Sequence, residues 1–184
     1  KYTETDITNP LSVYGKTKLN GEKIITKYSN SYIILRVSWL FSEYKKNFYK
    51  FVFNKLQNNE NIFAVNDLFS IPTSAKEVSK FLFFLLNNYN EIKISKKINN
   101  IFHFVNSGPI VSWFEFANYI KKNFLEFSYT NSLITPISSF DFFKNEIRPK
   151  FSALNNNKII NLFEYKIENW HNSINSLIIK DLNL

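Results

Sequence analysis

Tyr14 and Lys18 are four residues apart in the stretch "NPLSVYGKTKLNGE", which runs from Asn9 to Glu22. On a helix this spacing places both side chains on one face, within reach of each other. A tyrosine that exchanges a proton near neutral pH must have its pKa lowered from about 10, and a cation within about 4 to 6 Å supplies a large part of that change. The pair therefore has the chemistry of a proton donor and its charge partner.

Spacing alone does not distinguish such a pair from coincidence. Ten tyrosines in this lysine-rich chain of 184 residues predict about one Tyr and Lys pair at this distance, and two occur. The second pair, Tyr89 and Lys93, lies in "NNYNEIKISKK", a polar stretch after a helix, which predicts a surface loop. The first pair lies near Gly21, which leaves space for a ligand to approach. A contact on a helix surface is the alternative interpretation of Tyr14 and Lys18.

The elements that would position this pair alternate between helix and strand. Asn9 and Pro10 predict the start of a helix that runs to about Tyr28, and "SYIILRVSW" at residues 31–39 predicts a buried strand. Further strands are predicted in "NIFAV" and "NIFHFVN". Further helices are predicted in "NFYKFVFNKLQNN", after a cap at Thr73 or Ser74, after a cap at Ser112, and near Trp170 to Leu182. This alternation indicates an α/β fold.

Composition argues against several classes of site. The chain has no cysteine, and His103 and His171 lack partners at ligand spacing, so no metal site is predicted. The net charge of +8 is dispersed along the chain without a run of like charges, so nucleic-acid binding is only an alternative. The longest apolar run, "FLFFLL", predicts a core helix and is far shorter than the roughly 20 residues that span a membrane. No signal peptide is visible, and we expect a cytoplasmic protein.

Six motifs in register carry a family resemblance. They are "NPLSVYGKTKLNGE", "YIILRVSWLF", "NF", "PTSA", "HFVNSG" and "RPKFSALNNNKI", and they extend over the chain from Tyr2 to Trp170. In order and spacing they resemble the extended short-chain dehydrogenase/reductase superfamily, and within it the dTDP-4-dehydrorhamnose reductase family. The resemblance implies the C-terminal part of a Rossmann-like, doubly wound fold with a small α/β substrate-binding domain. Residues 1–66 would hold late Rossmann elements, and residues 67–184 the substrate-binding part interleaved with the last strands.

The resemblance also implies an activity, the reduction of dTDP-4-dehydro-L-rhamnose to dTDP-L-rhamnose with NADPH or NADH. The tyrosine matching Tyr14 would give a proton to the C4 carbonyl of the sugar. The lysine matching Lys18 would promote this transfer and hydrogen-bond the nicotinamide ribose, so both residues are expected cofactor contacts, together with Ser38. The family admits Mg²⁺, for which no site is identified in this sequence, and a homodimer is compatible with the resemblance.

Three further residues match substrate-binding positions of the family. Trp39 would line the nucleotide-sugar pocket, with a core tryptophan as the alternative. Asn47 would position the sugar nucleotide or cap a helix. Arg148, one of two arginines, would chelate the diphosphate. Its planar guanidinium can form two parallel hydrogen bonds to phosphate oxygens, which lysine cannot. A surface ion pair is the alternative.

The sequence departs from the family at Leu68 and Ser70, where the family has glutamine and glycine. With three glycines the chain has no glycine-rich loop to hold a pyrophosphate, so this loop and the catalytic serine or threonine are expected to precede Lys1. The chain alone is expected to bind NADPH poorly. The alternatives are another nucleotide-sugar enzyme, such as an epimerase or a 4,6-dehydratase, and a non-enzymatic homologue resembling the regulatory subunit of methionine adenosyltransferase.

Overall fold

A computed structural model describes residues 1–94, 100–144 and 146–184. Helices and strands alternate along much of this part of the chain, which confirms the predicted α/β class. The helices are α1 (Val13–Tyr28), α2 (Phe48–Gln57), α3 (Ala75–Asn87), α4 (Tyr89–Ile94), α5 (Trp113–Phe124), α6 (Ser139–Phe143), α7 (Asn157–Phe163) and α8 (Trp170–Asp181). The strands are β1 (Ile33–Val37), β2 (Leu40–Phe41), β3 (Ile62–Val65), β4 (Phe69–Ser70), β5 (Thr73–Ser74), β6 (Asn100–Phe104), β7 (Val111–Ser112) and β8 (Ile134–Ile137).

Helix α1 begins later than the sequence predicts. Its N-cap is Ser12 and not Asn9, because the Ser12 Oγ accepts a hydrogen bond from the backbone N–H of Gly15 at 3.1 Å. This contact satisfies one of the N–H groups that a helix start leaves without a partner, so Pro10 stays outside the helix. The predicted end at Tyr28 is confirmed.

Strands β1 and β6 pair in parallel, with Ile33 opposite Asn100 and Val37 opposite Phe104. The prediction that β1 is buried is wrong, since its first four residues are half-buried and Val37 is exposed. In contrast, β6 ends in three buried residues, because Phe81 of α3 and Ile159 of α7 pack in the same apolar cluster as its phenylalanines. The side chains of the sheet are therefore covered unevenly.

A second apolar cluster lies between α2, α5 and α8, next to β3. Strand β3 pairs in parallel with β8, and Trp170 at the start of α8 packs edge-on against Phe116 at 5.5 Å between ring centroids. The predicted cap of α5 is confirmed as a capping box between Ser112 and Glu115. Edge-to-face aromatic pairs and this reciprocal cap fix the start of α5.

Two predicted apolar faces are only partly buried. In "FLFFLL", Phe81 and Leu85 face the core, but Leu82, Phe83 and Leu86 are exposed, Phe83 at 66%. Phe51 of α2 is exposed as well, whereas its neighbours Tyr49, Val52, Phe53 and Leu56 are buried. Runs of consecutive apolar residues on a helix necessarily point in several directions, so only one part of each run can face the core.

Short elements complete the described chain. Strand β2 pairs in parallel with β5, and β4 pairs with β7 in antiparallel orientation. The predicted loop at Tyr89 is wrong, since this residue opens α4, and the side chain of Lys93 lies outside the described part of the structure. Helix α3 begins after Ser74 as predicted. The two-residue strands β2, β4, β5 and β7 and the elements β8, α6 and α7 were not predicted, because their short segments show no clear periodicity.

Candidate functional site

Helix α1 brings Tyr14 and Lys18 together. The Lys18 Nζ lies 5.4 Å from the centroid of the Tyr14 ring, a distance typical of a cation–π contact. The predicted placement on one helix face is therefore confirmed. Both side chains are exposed, Tyr14 at 72%, so a ligand can reach them.

The same face of α1 continues to Glu22, which ties the helix to the sheet. The Nε of Arg36 donates to Glu22 Oε1 at 2.9 Å, and its Nη2 donates to Glu22 Oε2 at 2.6 Å. This fork geometry is the strong, directional form of an Arg and carboxylate pair. The hydrogen bonds that Arg36 donates to Glu22 raise the pKa of Arg36 against the opposing effect of burial. Helix α1 is therefore fixed in rotation against β1.

His103, a buried residue of β6, extends the polar network of Glu22 and Arg36. Its Nδ1 lies 3.1 Å from the carbonyl oxygen of Tyr2, and a carbonyl only accepts, so Nδ1 carries the hydrogen. The unprotonated Nε2 then faces Arg36 Nη1 at 3.5 Å. The backbone N–H of His103 donates to Glu4 Oε1 at 2.8 Å. Burial lowers the pKa of His103, and this neutral tautomer fits its surroundings.

A cavity of about 630 Å³ lies between α1, the end of β1 and the segment around Phe151. Lys18, Ser38 and His103 are among its lining residues, and Tyr14 is not. A volume of this size is in the range of sites for small ligands and cofactors. Two of the three predicted cofactor residues, Lys18 and Ser38, thus line the same cavity.

The hydroxyl of Ser38 has a defined orientation. Its Oγ lies 2.7 Å from the Oγ of Ser70, which in turn donates to the carbonyl oxygen of Ser152 at 3.1 Å. Because Ser70 has a single hydroxyl proton and the carbonyl can only accept it, Ser38 must donate to Ser70. Ser38 is left with free lone pairs, so it can accept a hydrogen bond from an amide donor in the cavity. Ser70, a departure from the family, therefore orients a predicted cofactor residue.

An aromatic cluster forms around residues that follow or precede the cavity lining in the chain, since Ser38 and Pro149 line the cavity and Trp39 and Arg148 are their neighbours. Trp39 follows β1 with a positive φ of 43°, an uncommon conformation for a bulky residue. Its ring packs edge-on against Trp113 at 5.6 Å, and Phe48 and Phe143 lie 4.8 and 6.0 Å from the same tryptophan ring. The guanidinium carbon of Arg148 lies 4.0 Å from the Phe143 centroid and 5.8 Å from that of Trp113. Trp39 and Arg148 thus meet at Trp113, which the sequence did not single out.

Asn47 caps helix α2, as one of its two interpretations predicts. Its Oδ1 accepts from the backbone N–H of Lys50 at 3.2 Å, and its Nδ2 donates to the carbonyl oxygen of Ser42 at 2.8 Å. Asn47 precedes Phe48, so the cap also places that ring in the aromatic cluster. The amide is engaged with backbone on both sides.

Arg148 forms the surface ion pair that was its alternative interpretation. Its Nε and Nη2 donate to the carboxylate of Glu146, both at 3.1 Å, and more than a third of its side chain is exposed. Such exposed pairs contribute little to stability, so another anion can take the place of Glu146 at low cost.

The residues that sequence reasoning missed form contacts between distant segments. The sequence predicts Trp113 only as part of a helix and predicts no role for Glu22. The spacing of Tyr14, Lys18 and Glu22 at every fourth position was a usable signal for a shared helix face. No comparable pattern marks Trp113, whose neighbours come from four other segments.

The chain's residues fit one end of a dinucleotide. Lys18 and Ser38 line the cavity and could hydrogen-bond a nicotinamide nucleotide, whereas Gly21 is not among the lining residues and has open space at its Cβ position. Gly15 packs on Pro10 and Gly108 on Trp170, so neither forms a phosphate cradle. Among residues 1–94, 100–144 and 146–184 there is no group of three His, Asp or Glu side chains arranged for a metal ion. The same residues include no helix long and apolar enough to span a bilayer.

Comparisons with known proteins agree on one family. The model of the family described as RmlD substrate binding domain matches residues 1–183. The dTDP-4-dehydrorhamnose reductase of Sinorhizobium fredii is 31% identical over 177 residues, which cover 96% of this chain and 59% of the relative. A crystal structure of a dTDP-4-dehydrorhamnose reductase ortholog from Clostridium acetobutylicum matches with a TM-score of 0.83 and 28% identity, covering 100% of this chain and 60% of its own.

A second solved structure is the dTDP-4-dehydrorhamnose reductase of Bacillus anthracis in complex with NADP. It matches with a TM-score of 0.81 and 26% identity, covering 97% of this chain and 59% of its own. These likenesses confirm the predicted Rossmann-like reductase fold. The chain spans about three fifths of the length of the relatives it matches.

Proposed function

Because this chain belongs to the RmlD substrate binding domain family, we propose that it supplies the substrate site and the proton donor of an NADPH-dependent reductase. The substrate is dTDP-4-dehydro-L-rhamnose, and the product is dTDP-L-rhamnose. The observation that supports this most is the continuity of two sites: Ser38 and Pro149 line the cavity, and their chain neighbours Trp39 and Arg148 belong to the aromatic cluster. A cofactor end and a sugar-nucleotide end would thus lie side by side.

Tyr14 acts as the proton donor in this proposal. NADPH, when bound, supplies the hydride that adds to the C4 carbonyl carbon. The phenol of Tyr14 gives its proton to the carbonyl oxygen, so that an alcohol forms and no free alkoxide is left. The Lys18 ammonium, 5.4 Å from the tyrosine ring centroid, stabilises the tyrosinate that remains and holds the nicotinamide ribose.

Ser38 orients the nicotinamide in the same proposal. Because its proton is committed to Ser70, Ser38 accepts a hydrogen bond from the amide group of the ring. The ion pair between Glu22 and Arg36 fixes the rotation of α1 about its axis, so that the side chains of Tyr14 and Lys18 point in the same direction.

Trp39 and Arg148 bind the substrate. The ring of Trp39 forms an apolar wall for the sugar, and the guanidinium of Arg148 exchanges Glu146 for the diphosphate. Asn47 positions this pocket through its cap of α2. The division of the chain at residues 66 and 67, the cytoplasmic location and the homodimer stay predictions that rest on the family resemblance.

The test is carried out on the full coding sequence of the protein that contains this chain. Purified protein is mixed with NADPH and dTDP-4-dehydro-L-rhamnose, NADPH consumption is followed by absorbance, and the product is identified by NMR. Formation of dTDP-L-rhamnose supports the proposal. Epimerised or dehydrated nucleotide sugar would assign the chain to another enzyme of this fold. No turnover, together with co-purification of a methionine adenosyltransferase, would favour the regulatory alternative.

A further inference from the structure

The indole nitrogen of Trp113 is a buried hydrogen-bond donor without an acceptor. In the described part of the chain it is the one buried side-chain nitrogen or oxygen for which no partner is found. Buried donors are nearly always paired, because an unpaired one loses its hydration without compensation. Trp113 packs against Trp39 and Arg148, whose chain neighbours Ser38 and Pro149 line the cavity, so an unpaired donor at this place indicates a ligand that supplies the acceptor.

The ring of Trp113 is held in place by its neighbours. Trp39 packs on it edge-on, Phe48 lies at 4.8 Å and Phe143 crosses it at nearly a right angle. Contacts from three separate segments prevent the indole from turning to find an acceptor within the protein. A donor that is fixed before the ligand arrives costs little ordering entropy on binding.

The surroundings indicate which ligand would supply the acceptor. Arg148 lies 5.8 Å from the Trp113 ring centroid, so a cation and a neutral donor are presented by one cluster. Trp39, Phe48 and Phe143 add apolar walls. A nucleotide sugar matches these surroundings, because its diphosphate and hydroxyl oxygens are acceptors and its rings have apolar faces. We propose that the indole N–H of Trp113 donates a hydrogen bond to an oxygen of the bound nucleotide sugar, which makes Trp113 a substrate-recognition residue. This inference rests on the proposed function and extends it to a residue outside the predicted site.

Trp170 is the matched control. Its Nε1 donates to the carbonyl oxygen of Pro109 at 3.1 Å, and its ring is buried in the cluster between α2, α5 and α8. Replacing either tryptophan by phenylalanine removes one indole N–H. Trp170→Phe breaks a bond that the folded protein makes by itself, whereas Trp113→Phe removes a donor that has no partner without ligand.

The first experiment compares both variants in the full-length protein. Binding of dTDP-L-rhamnose is measured by calorimetry, and thermal unfolding is measured without ligand. Trp113→Phe should bind about tenfold more weakly, the effect of one lost hydrogen bond, with a Tm equal to or above that of the parent. Trp170→Phe should bind as the parent does but unfold at a lower temperature. Equal affinity of Trp113→Phe and parent, or weaker binding accompanied by a lower Tm, overturns the inference.

A second readout is taken on the parent protein, and the variants serve only to assign the resonances. The indole ¹H–¹⁵N resonances of Trp113 and Trp170 are each assigned as the signal that is missing from the corresponding Phe variant. On addition of dTDP-L-rhamnose to the parent protein, the Trp113 indole proton should move downfield while that of Trp170 stays in place. A bound ligand that leaves the Trp113 resonance unchanged refutes the inference but not the proposed function. A parent protein that neither binds nor forms dTDP-L-rhamnose refutes both.

Discussion

Glu22 on helix α1 and Arg36 on strand β1 meet in a two-point ion pair, with hydrogen bonds of 2.9 and 2.6 Å. Less than a fifth of either side chain is exposed. The pair belongs to the same helix face as Tyr14 and Lys18, so it sets the direction in which these two side chains point. Rotation of α1 about its axis would break both hydrogen bonds at once.

Arg36→Lys is expected to lower the free energy of unfolding by about 1 to 3 kcal/mol, because lysine keeps the charge but loses the fork. Urea denaturation measures this change. Lys55→Gln is the control, since Lys55 forms an ion pair with Glu60 in which both side chains are more exposed, and its effect should stay within about 0.5 kcal/mol. Similar losses in both variants would contradict a special role of the fork.

Tyr14→Phe in the full-length protein should lower kcat for the ketosugar by about 10²- to 10⁴-fold, the usual contribution of a positioned proton donor. Its affinity for the nucleotide sugar should change little. The control is Tyr28→Phe, because Tyr28 ends the same helix, is equally exposed at 72% and also has a lysine beside its ring, Lys27 at 5.0 Å. Full activity of Tyr14→Phe would remove Tyr14 from the mechanism.

Two glycines are expected to respond in opposite directions to alanine. Gly108 has a φ of 120°, and an added Cβ would lie 2.8 Å from the Trp170 ring, so Gly108→Ala should lower the free energy of unfolding by about 1 to 3 kcal/mol. Gly21 lies inside α1 with open space at the Cβ position, so Gly21→Ala should raise it by about 0.5 to 1 kcal/mol. Chemical denaturation of the two variants checks both signs. Destabilisation by Gly21→Ala would show that the space is filled.

Stability should fall below about pH 6.5, where an unfolded histidine takes up a proton that buried His103 does not. Burial lowers the pKa of His103, with Arg36 acting in the same direction and Glu4 and Glu22 opposing it. A lowered pKa in the folded state means that the unfolded state binds more protons. The contribution of neutral His103 to the free energy of unfolding is therefore fully present above about pH 6.5 and is lost as the pH falls.

The measurement is the free energy of unfolding between about pH 7 and pH 5.5, in the parent and in His103→Gln. The slope should become smaller in the variant. His171→Gln is compared alongside, since burial also lowers the pKa of His171. An unchanged slope in His103→Gln would show that His103 is not the group responsible.

The sequence predicted those features that depend on neighbouring residues. The cap at Ser112, the end of α1 at Tyr28 and the shared face of Tyr14 and Lys18 all follow from local spacing. The exposure of β1 did not follow, because burial depends on which distant elements cover a strand.

The aromatic cluster was only half predictable for the same reason. Trp39 and Arg148 were found through their motifs, but Trp113 becomes part of the site only when separate segments fold around it. The orientation of the Ser38 hydroxyl likewise depends on Ser70 and Ser152, which are remote in sequence. Hydrogen-bond direction is a property of the assembled structure and not of any one segment.

The parallel pairing of Ile33 with Asn100 and of Ile62 with Ile134 also has a consequence for biosynthesis. Neither pair can form from a local hairpin, so a long loop must close before any pairing contact is gained, which slows folding. The cluster between α2, α5 and α8 is completed by Trp170, which follows α2 and α5 in the chain. A polypeptide still emerging from the ribosome therefore exposes the phenylalanines of α2 and α5 until α8 has been synthesised, and apolar surface exposed in this way favours aggregation.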